Sequence, residues 1–245
     1  MSFLSFYNDH HGKGTEEIIS LINEENWEQL DFVSRTDPLS IHWKVTIPNF
    51  YPKVDSKVLP IHSLCQKKPP LQAVKTLNEI FPRGLLTEES AYHRLPLHIA
   101  CMYQAAPETV LYLIQSKPAA CKRKDALGRL PLHYACKDQT DEVILKLLQV
   151  YPGSTKQADK QGFLPLHVAC RSDKSVYVIR QLLRQNPKLA NQTTQKGSTP
   201  YMFAKKHMTS PHKDEVLELL RICERGAAAP ESSSTATDET SVHAE

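Results

Sequence analysis

The sequence predicts an all-α solenoid of stacked helix–turn–helix units, and three markers that keep one register predict it. The first is a recurring heptapeptide: LPIHSLC at 59–65, LPLHIAC at 95–101, LPLHYAC at 130–136 and LPLHVAC at 164–170, with a diverged copy, TPYMFAK, from Thr199. Its leading residues, Leu59, Leu95, Leu130, Leu164 and Thr199, step by 36, 35, 34 and 35 residues. The second marker is a proline that lies 21 or 22 residues after each motif proline, at Pro82, Pro118, Pro152 and Pro187. The third is a glycine just before the motif, Gly128, Gly162 and Gly197. Periods of this length belong to repeat arrays, whose units cannot bury an apolar face alone and must stack.

Taken in chain order, residues 1–14 are expected to be a flexible N-terminus. The start, MSFLSFYNDHH, has neither a basic n-region nor a long apolar run, so no secretory signal is expected. TEEIISLINEENWEQLDFVSRTDP predicts a diverged helix pair over 15–38, with Glu16 and Glu17 in a first turn where the helix dipole favours acids. An extended loop over 39–58 follows, about nine residues longer than the later loops. Ile41, Trp43, Val45 and Ile47 alternate there with His42, Lys44 and Thr46, which suggests a short extended segment or hairpin. Pro48 and Pro52 make it a poor central strand. Trp43, Phe50 and Tyr51 either pack over the end of the array or form a protruding recognition finger.

The repeats then start near 59, 95, 130, 164 and 199. Each motif proline suits the first turn of a short helix, where a missing N–H is harmless. After a polar turn, the second helix is amphipathic; DEVILKLLQVYP places Val143, Ile144, Leu147 and Leu148 on one face. Proline ends that helix, because the residue before it avoids the helical region. The last unit, 199–225, reads as a polar cap. The segment 226–245 has four acids, no Lys or Arg and many Ser and Thr, and is expected to be a disordered acidic tail. Its charge of −4 leaves residues 1–225 at +7 against the total of +3. It invites a regulatory reading, in which the tail competes with partners for a basic surface.

Helix, turn, helix and glycine-bearing loop, with GRLPLHYA, GFLPLHVA and GSTPYMFA, resembles the ankyrin repeat, whose pattern is Gly-x-Thr-Pro-Leu-His-x-Ala. The resemblance covers roughly 59–225, and weakly 15–58. It departs from the family in three ways. Leucine replaces the capping threonine in four copies, proline replaces the glycine that commonly ends the second helix, and the units exceed the usual length of about 33 residues. Losing the hydroxyl cap costs about 0.5–2 kcal/mol. Burying a leucine returns a similar ~1.5–3 kcal/mol, so the leucines are expected to pack between units.

Four His-x-x-Cys pairs invite a metal or a nucleophile. Zinc needs three or four ligands converging on one point, and equivalent residues of neighbouring repeats lie about 10 Å apart. The resemblance gives His62, His98, His133 and His167 a structural role, bonding to backbone of adjacent loops. Cys65, Cys101, Cys136 and Cys170 then act as small hydrophobes. No catalytic, cofactor-binding or metal residue is assigned and no cofactor is expected; no phosphate-binding glycine loop or hydrolase motif is present either. No apolar run is long enough for a membrane helix, and six cysteines without export suggest a cytoplasmic or nuclear protein.

The resemblance implies a protein-interaction scaffold or adaptor, acting as a monomer and without catalysis, whose partner meets the concave face and loop tips. Carried onto this sequence, the candidate face holds Lys67, Ile99, Met102, Tyr103, Tyr134, Lys137, Asp138, Val168, Arg171 and Phe203. The loop tips contribute Arg123, Lys124, Arg129 and Lys160. Met102, Tyr103 and Tyr134 make an apolar centre rimmed by positive charge, which suits a partner with an acidic or amphipathic segment. Lys206 and His207 are the last unit's equivalents, and Lys122, Lys156 and Lys196 extend the charge. The runner-up is a nucleic-acid-binding module using the basic loop tips, and an enzyme with an unrecognised site comes third.

Overall fold

The computed structural model describes residues 14–184 and 186–226, so the expectations for the N-terminal segment and the acidic tail, apart from Gly14 (already helical) and Gly226, fall outside the described residues. The chain opens with α1 (14–23) and α2 (Trp27–Thr36). A hairpin follows, β1 (Val45–Tyr51) and β2 (Val54–Val58). Five helix pairs come next. Their first members are α3 (Pro60–Gln66), α5 (Pro96–Met102), α7 (Pro131–Asp138), α9 (Pro165–Arg171) and α11 (Pro200–His207). Their second members are α4 (Leu71–Ile80), α6 (Pro107–Ser116), α8 (Asp141–Val150), α10 (Val176–Arg184) and α12 (Lys213–Glu224). First helices pack on first helices and second on second, so the fold is two layers of stacked helices, as the period predicts.

Each first helix begins with proline at its first position, preceded by a residue in extended conformation. In the last unit the Thr199 hydroxyl accepts the Met202 N–H at 3.3 Å, an ordinary cap. In the other four units the capping residue is leucine, and Leu59, Leu95, Leu130 and Leu164 are all buried. The burial expected to offset the missing hydroxyl is therefore present. The second helices bury one stripe: Val143, Ile144 and Leu147 in α8, and Val178, Ile179, Leu182 and Leu183 in α10, with Leu148 half-buried. The proline after α4, α6, α8 and α10 also does more than stop the helix. It starts a short 3-10 turn, as at Pro118–Lys122 and Pro152–Lys156, that carries the chain back toward the inner layer.

Successive loops hydrogen-bond to one another. The Ala126 N–H donates to the Tyr92 carbonyl at 2.7 Å, Lys160 to Leu127 at 2.9 Å and Gln195 to Gln161 at 3.0 Å. Gly162 is needed where this contact is closest. It has φ +82°, and a Cβ there would lie 2.9 Å from the Gln195 backbone nitrogen.

Within the 39–58 segment, Ile41 ends a 3-10 turn (Pro38–Ile41) and is not in a strand, and residues 45–58 form a two-stranded antiparallel hairpin, pairing Val45 with Val58, Ile47 with Ser56 and Tyr51 with Val54. A register irregularity between Ile47 and Tyr51 accommodates Pro48, which cannot donate to a ladder, and places Asn49 at φ +52°. Phe50 and Tyr51 are buried, and the Gln66 side chain of α3 donates to the Phe50 carbonyl at 2.8 Å. These two aromatics pack over the array, whereas Trp43 stays 40% exposed.

Candidate functional site

The repeated polar groups of the motif build the scaffold of the inner face. In each unit the histidine Nδ1 accepts the N–H of the capping leucine, at 3.1 Å for His62, His98 and His133 and 3.0 Å for His167. Nδ1 facing a donor must carry the lone pair, so the proton sits on Nε2. Nε2–H then donates to a carbonyl of the loop on the C-terminal side of its own unit: Thr87 (2.9 Å), Arg123 (3.1 Å), Phe163 (3.1 Å) and Gln192 (3.0 Å). Both ring nitrogens are spent on backbone, leaving no lone pair for a metal. Burial pushes His62, His98 and His133 down to about 4, and lowers His167 also. The rings are neutral at pH 7.

All six cysteines are buried and none is in a disulfide. Burial raises Cys65 and Cys136 to about 12, and Cys101 well above its ordinary value. A thiol held protonated this firmly is a poor nucleophile and a poor metal ligand.

A second ladder, of acids and arginines, organises the loops. Asp125 Oδ1 accepts the N–H groups of Leu127 and Arg129, both at 2.9 Å, and Asp159 repeats this with Gln161 and Phe163. Glu89 does the same work in the unit before, accepting from Ala91, Tyr92 and Arg94 and from the Ser56 hydroxyl. The other oxygen of each aspartate takes an arginine from the preceding unit: Arg94 to Asp125 at 3.2 Å, and Arg129 to Asp159 at 2.9 Å. The Arg94 guanidinium also lies over Tyr92 (4.4 Å), Tyr51 (4.7 Å) and Tyr134 (5.4 Å). Nothing in the sequence analysis singles out Arg94, Glu89 or Asp125. Asp125 and Asp159 stand 34 residues apart, in step with Gly128 and Gly162, and that step was the available signal.

These ladders withdraw several residues from the candidate surface. Ile99 is fully buried between units, and Val168 is only 7% exposed. Tyr134 is 5% exposed, with its hydroxyl donating to Asp125 at 2.6 Å and accepting from Arg94 at 3.0 Å. The expectation that Ile99 meets a partner is corrected accordingly, whereas Tyr134 and Val168, though nearly buried, still line a small recess beside Lys137 and Arg171. Arg129 is committed to Asp159, and Arg123 donates to Glu88 at 2.6 Å across an exposed pair, so neither is an uncompensated charge.

The rest of the predicted face lies at the surface. Lys67, Met102, Tyr103, Asp138 and Phe203 are half-buried, and Lys124, Lys137, Lys160 and Arg171 are exposed. The face has two characters. Around α5, the residues Tyr51, Pro52, Tyr92, Arg94, Met102, Tyr103 and Leu127 line a recess of about 350 Å³. Around α9 and α11, Arg171 lies over Phe163 at 5.4 Å, Phe163 meets Phe203 at 5.4 Å, and His207 stacks on Phe203. Lys137 touches the Asp138 carboxylate at 2.9 Å. Among the described residues, no group of three or more His, Cys, Asp or Glu side chains is placed to hold a metal ion.

The family model for ankyrin repeats (three copies) matches residues 61–157 and 97–193. The chain belongs to the ankyrin-repeat family, whose domains are typically non-catalytic modules for protein–protein interaction. No curated protein matches it. No helix among the described residues is long and apolar enough to cross a membrane.

Proposed function

We propose that this chain is a monomeric, non-catalytic scaffold or adaptor of the cytoplasm or nucleus. Its repeat domain, 15–225, binds a partner protein in the concave face formed by α3, α5, α7, α9, α11 and their loops. The observation that carries the reading is a surface cation on each of two successive inner helices, Arg171 in α9 and Lys206 in α11. Among the described residues neither is in an ion pair, and aromatic surface lies beside them. An exposed cation next to an aromatic face suits a partner with acidic or amphipathic character. The motif histidines and cysteines, neutral and hydrogen-bonded or buried, serve the scaffold.

The nucleic-acid alternative draws on fewer charges than the composition suggests, because Arg94, Arg123 and Arg129 are all in ion pairs. Salt separates the two readings, since phosphate-driven binding collapses as salt rises and apolar anchoring does not. The test is capture from source-cell lysate at about 0.1 M and about 0.5 M salt, read by mass spectrometry. The comparison protein carries Met102→Ala, Arg171→Ala and Lys206→Ala, all at exposed or half-buried positions that should leave the fold intact. Proteins bound by the wild type and lost with the variant support the concave face. Retention of the same proteins sinks it, and capture of nucleic acid alone, at low salt alone, favours the alternative.

A further inference from the structure

The two characters of the concave face are segregated along the array, and that segregation has a consequence for what can lie in it. The apolar recess of about 350 Å³ belongs to the unit that starts at Leu95, and its walls are Tyr51, Pro52, Tyr92, Met102, Tyr103 and Leu127. Its size is at the small end of ligand pockets, enough for one or two apolar side chains. The Arg94 guanidinium in its wall is neutralised by Asp125, so the recess offers no strong positive charge of its own. From there toward the C-terminal units, the position four after the motif histidine changes from Met102 to Lys137, Arg171 and Lys206, one cation per unit. All three cations are exposed, and of the three only Lys137 is in an ion pair among the described residues.

We propose that the face selects an extended peptide segment of a partner protein with one apolar anchor and a train of acids on one side of it. The anchor is a branched aliphatic or aromatic residue seated in the recess. The acids run toward the C-terminal units, against Lys137, Arg171 and Lys206. This rests on the concave-face reading given above and adds a spacing and a direction to it. Inner helices stack at about 10 Å, and an extended chain advances about 3.3 Å per residue. One unit therefore corresponds to about three peptide residues, which puts the acids about three, six and nine residues from the anchor. The innermost acid competes with Asp138 for Lys137, so the outer two contribute more. Charge complementarity of this kind fixes register and suppresses the reversed arrangement.

The test uses the full chain and a displayed library of random peptides about fourteen residues long, long enough to span anchor and acids. Selection is run at about 0.1 M salt, and enriched sequences are then made synthetically and titrated by fluorescence anisotropy. The variants are Arg171→Glu with Lys206→Glu, on the exposed surface, and separately Met102→Glu at the recess. The expected consensus is one apolar anchor with acids on one side at steps of about three residues. Its affinity should fall about tenfold or more with the double charge reversal, and the loss should shrink as salt rises. Peptides that lose binding with these variants but show neither acids nor that spacing overturn this inference and leave the concave-face reading standing. Peptides indifferent to both variants, or no enrichment above background, count against both.

Discussion

Mild acid should destabilise this protein through its histidine ladder. His62, His98 and His133 are buried, with Nδ1 accepting a backbone N–H and Nε2–H donating to a backbone carbonyl. A second proton would replace the Nδ1 lone pair with a donor aimed at a donor, inside a desolvated site. Their pKa values near 4 lie below the ordinary unfolded value of about 6.5. Between these limits the unfolded chain binds more protons than the folded one, so stability falls as pH falls. The contribution is whole above about pH 6.5 and is lost progressively down to about pH 4. At pH 5.5 each ring costs about 1.4 kcal/mol, hence about 4 kcal/mol for three, a large part of a typical total of 5–15 kcal/mol. The assay is urea denaturation followed by circular dichroism at about pH 7.5, 6.5 and 5.5, kept above the range where most carboxylates titrate. Replacing His133 by Gln should lower stability at neutral pH and flatten the pH dependence by about a quarter to a third, since His167 also contributes. A midpoint that stays level from pH 7.5 to 5.5 would refute the claim that these rings are held neutral.

Other perturbations separate the remaining contributions. Asp125→Ala strands the Arg94 guanidinium in a site where the pair is 7% and 0% exposed, and should cost about 3–5 kcal/mol; Asp159→Ala should cost less, because Arg129 is 32% exposed. Both are read from urea midpoints. Gly162→Ala meets the Gln195 nitrogen at 2.9 Å, whereas Gly197→Ala at φ +73° meets nothing within 4 Å. The second should cost only the left-handed backbone penalty of about 1–2 kcal/mol, and the first distinctly more, by thermal melts of the two variants. Leu130→Thr restores the family's capping hydroxyl but removes a fully buried leucine, so a net loss of about 1–2 kcal/mol is expected; a gain would show that capping outweighs packing here. The buried thiols should react with a disulfide reagent no faster than the chain unfolds, and a rapid stoichiometric burst would contradict their assigned packing role.

What the sequence made legible divides along the repeat. A feature copied at every period stands out against the chain, which is why the motif helices and the ends of the second helices could be read from spacing, while the histidine's structural role came from the resemblance to the ankyrin repeat. The glycines were readable for the same reason. The hairpin was partly readable from its alternation, but its register was not, because Pro48 and Asn49 break the pattern within one strand. The surface was least legible. Counting charges on the loop tips made Arg123 and Arg129 look available, although their partners Glu88 and Asp159 stand 35 and 30 residues away in sequence. Tyr134 looked like a surface aromatic for an analogous reason. Its hydroxyl is satisfied by Asp125 and by Arg94, 40 residues earlier, and only the stacking of units brings those groups to one place.

Backbone hydrogen exchange of the chain, alone and with a partner captured through the concave face, tests the central claim most directly. The claim predicts slowed exchange in α5, α7, α9 and α11 and in the loops around 122–129 and 156–163, with the outer helices α6, α8 and α10 unchanged. Protection confined to the outer helices, or to α2 around the exposed Phe32, would contradict it and place the binding surface on the opposite side of the array.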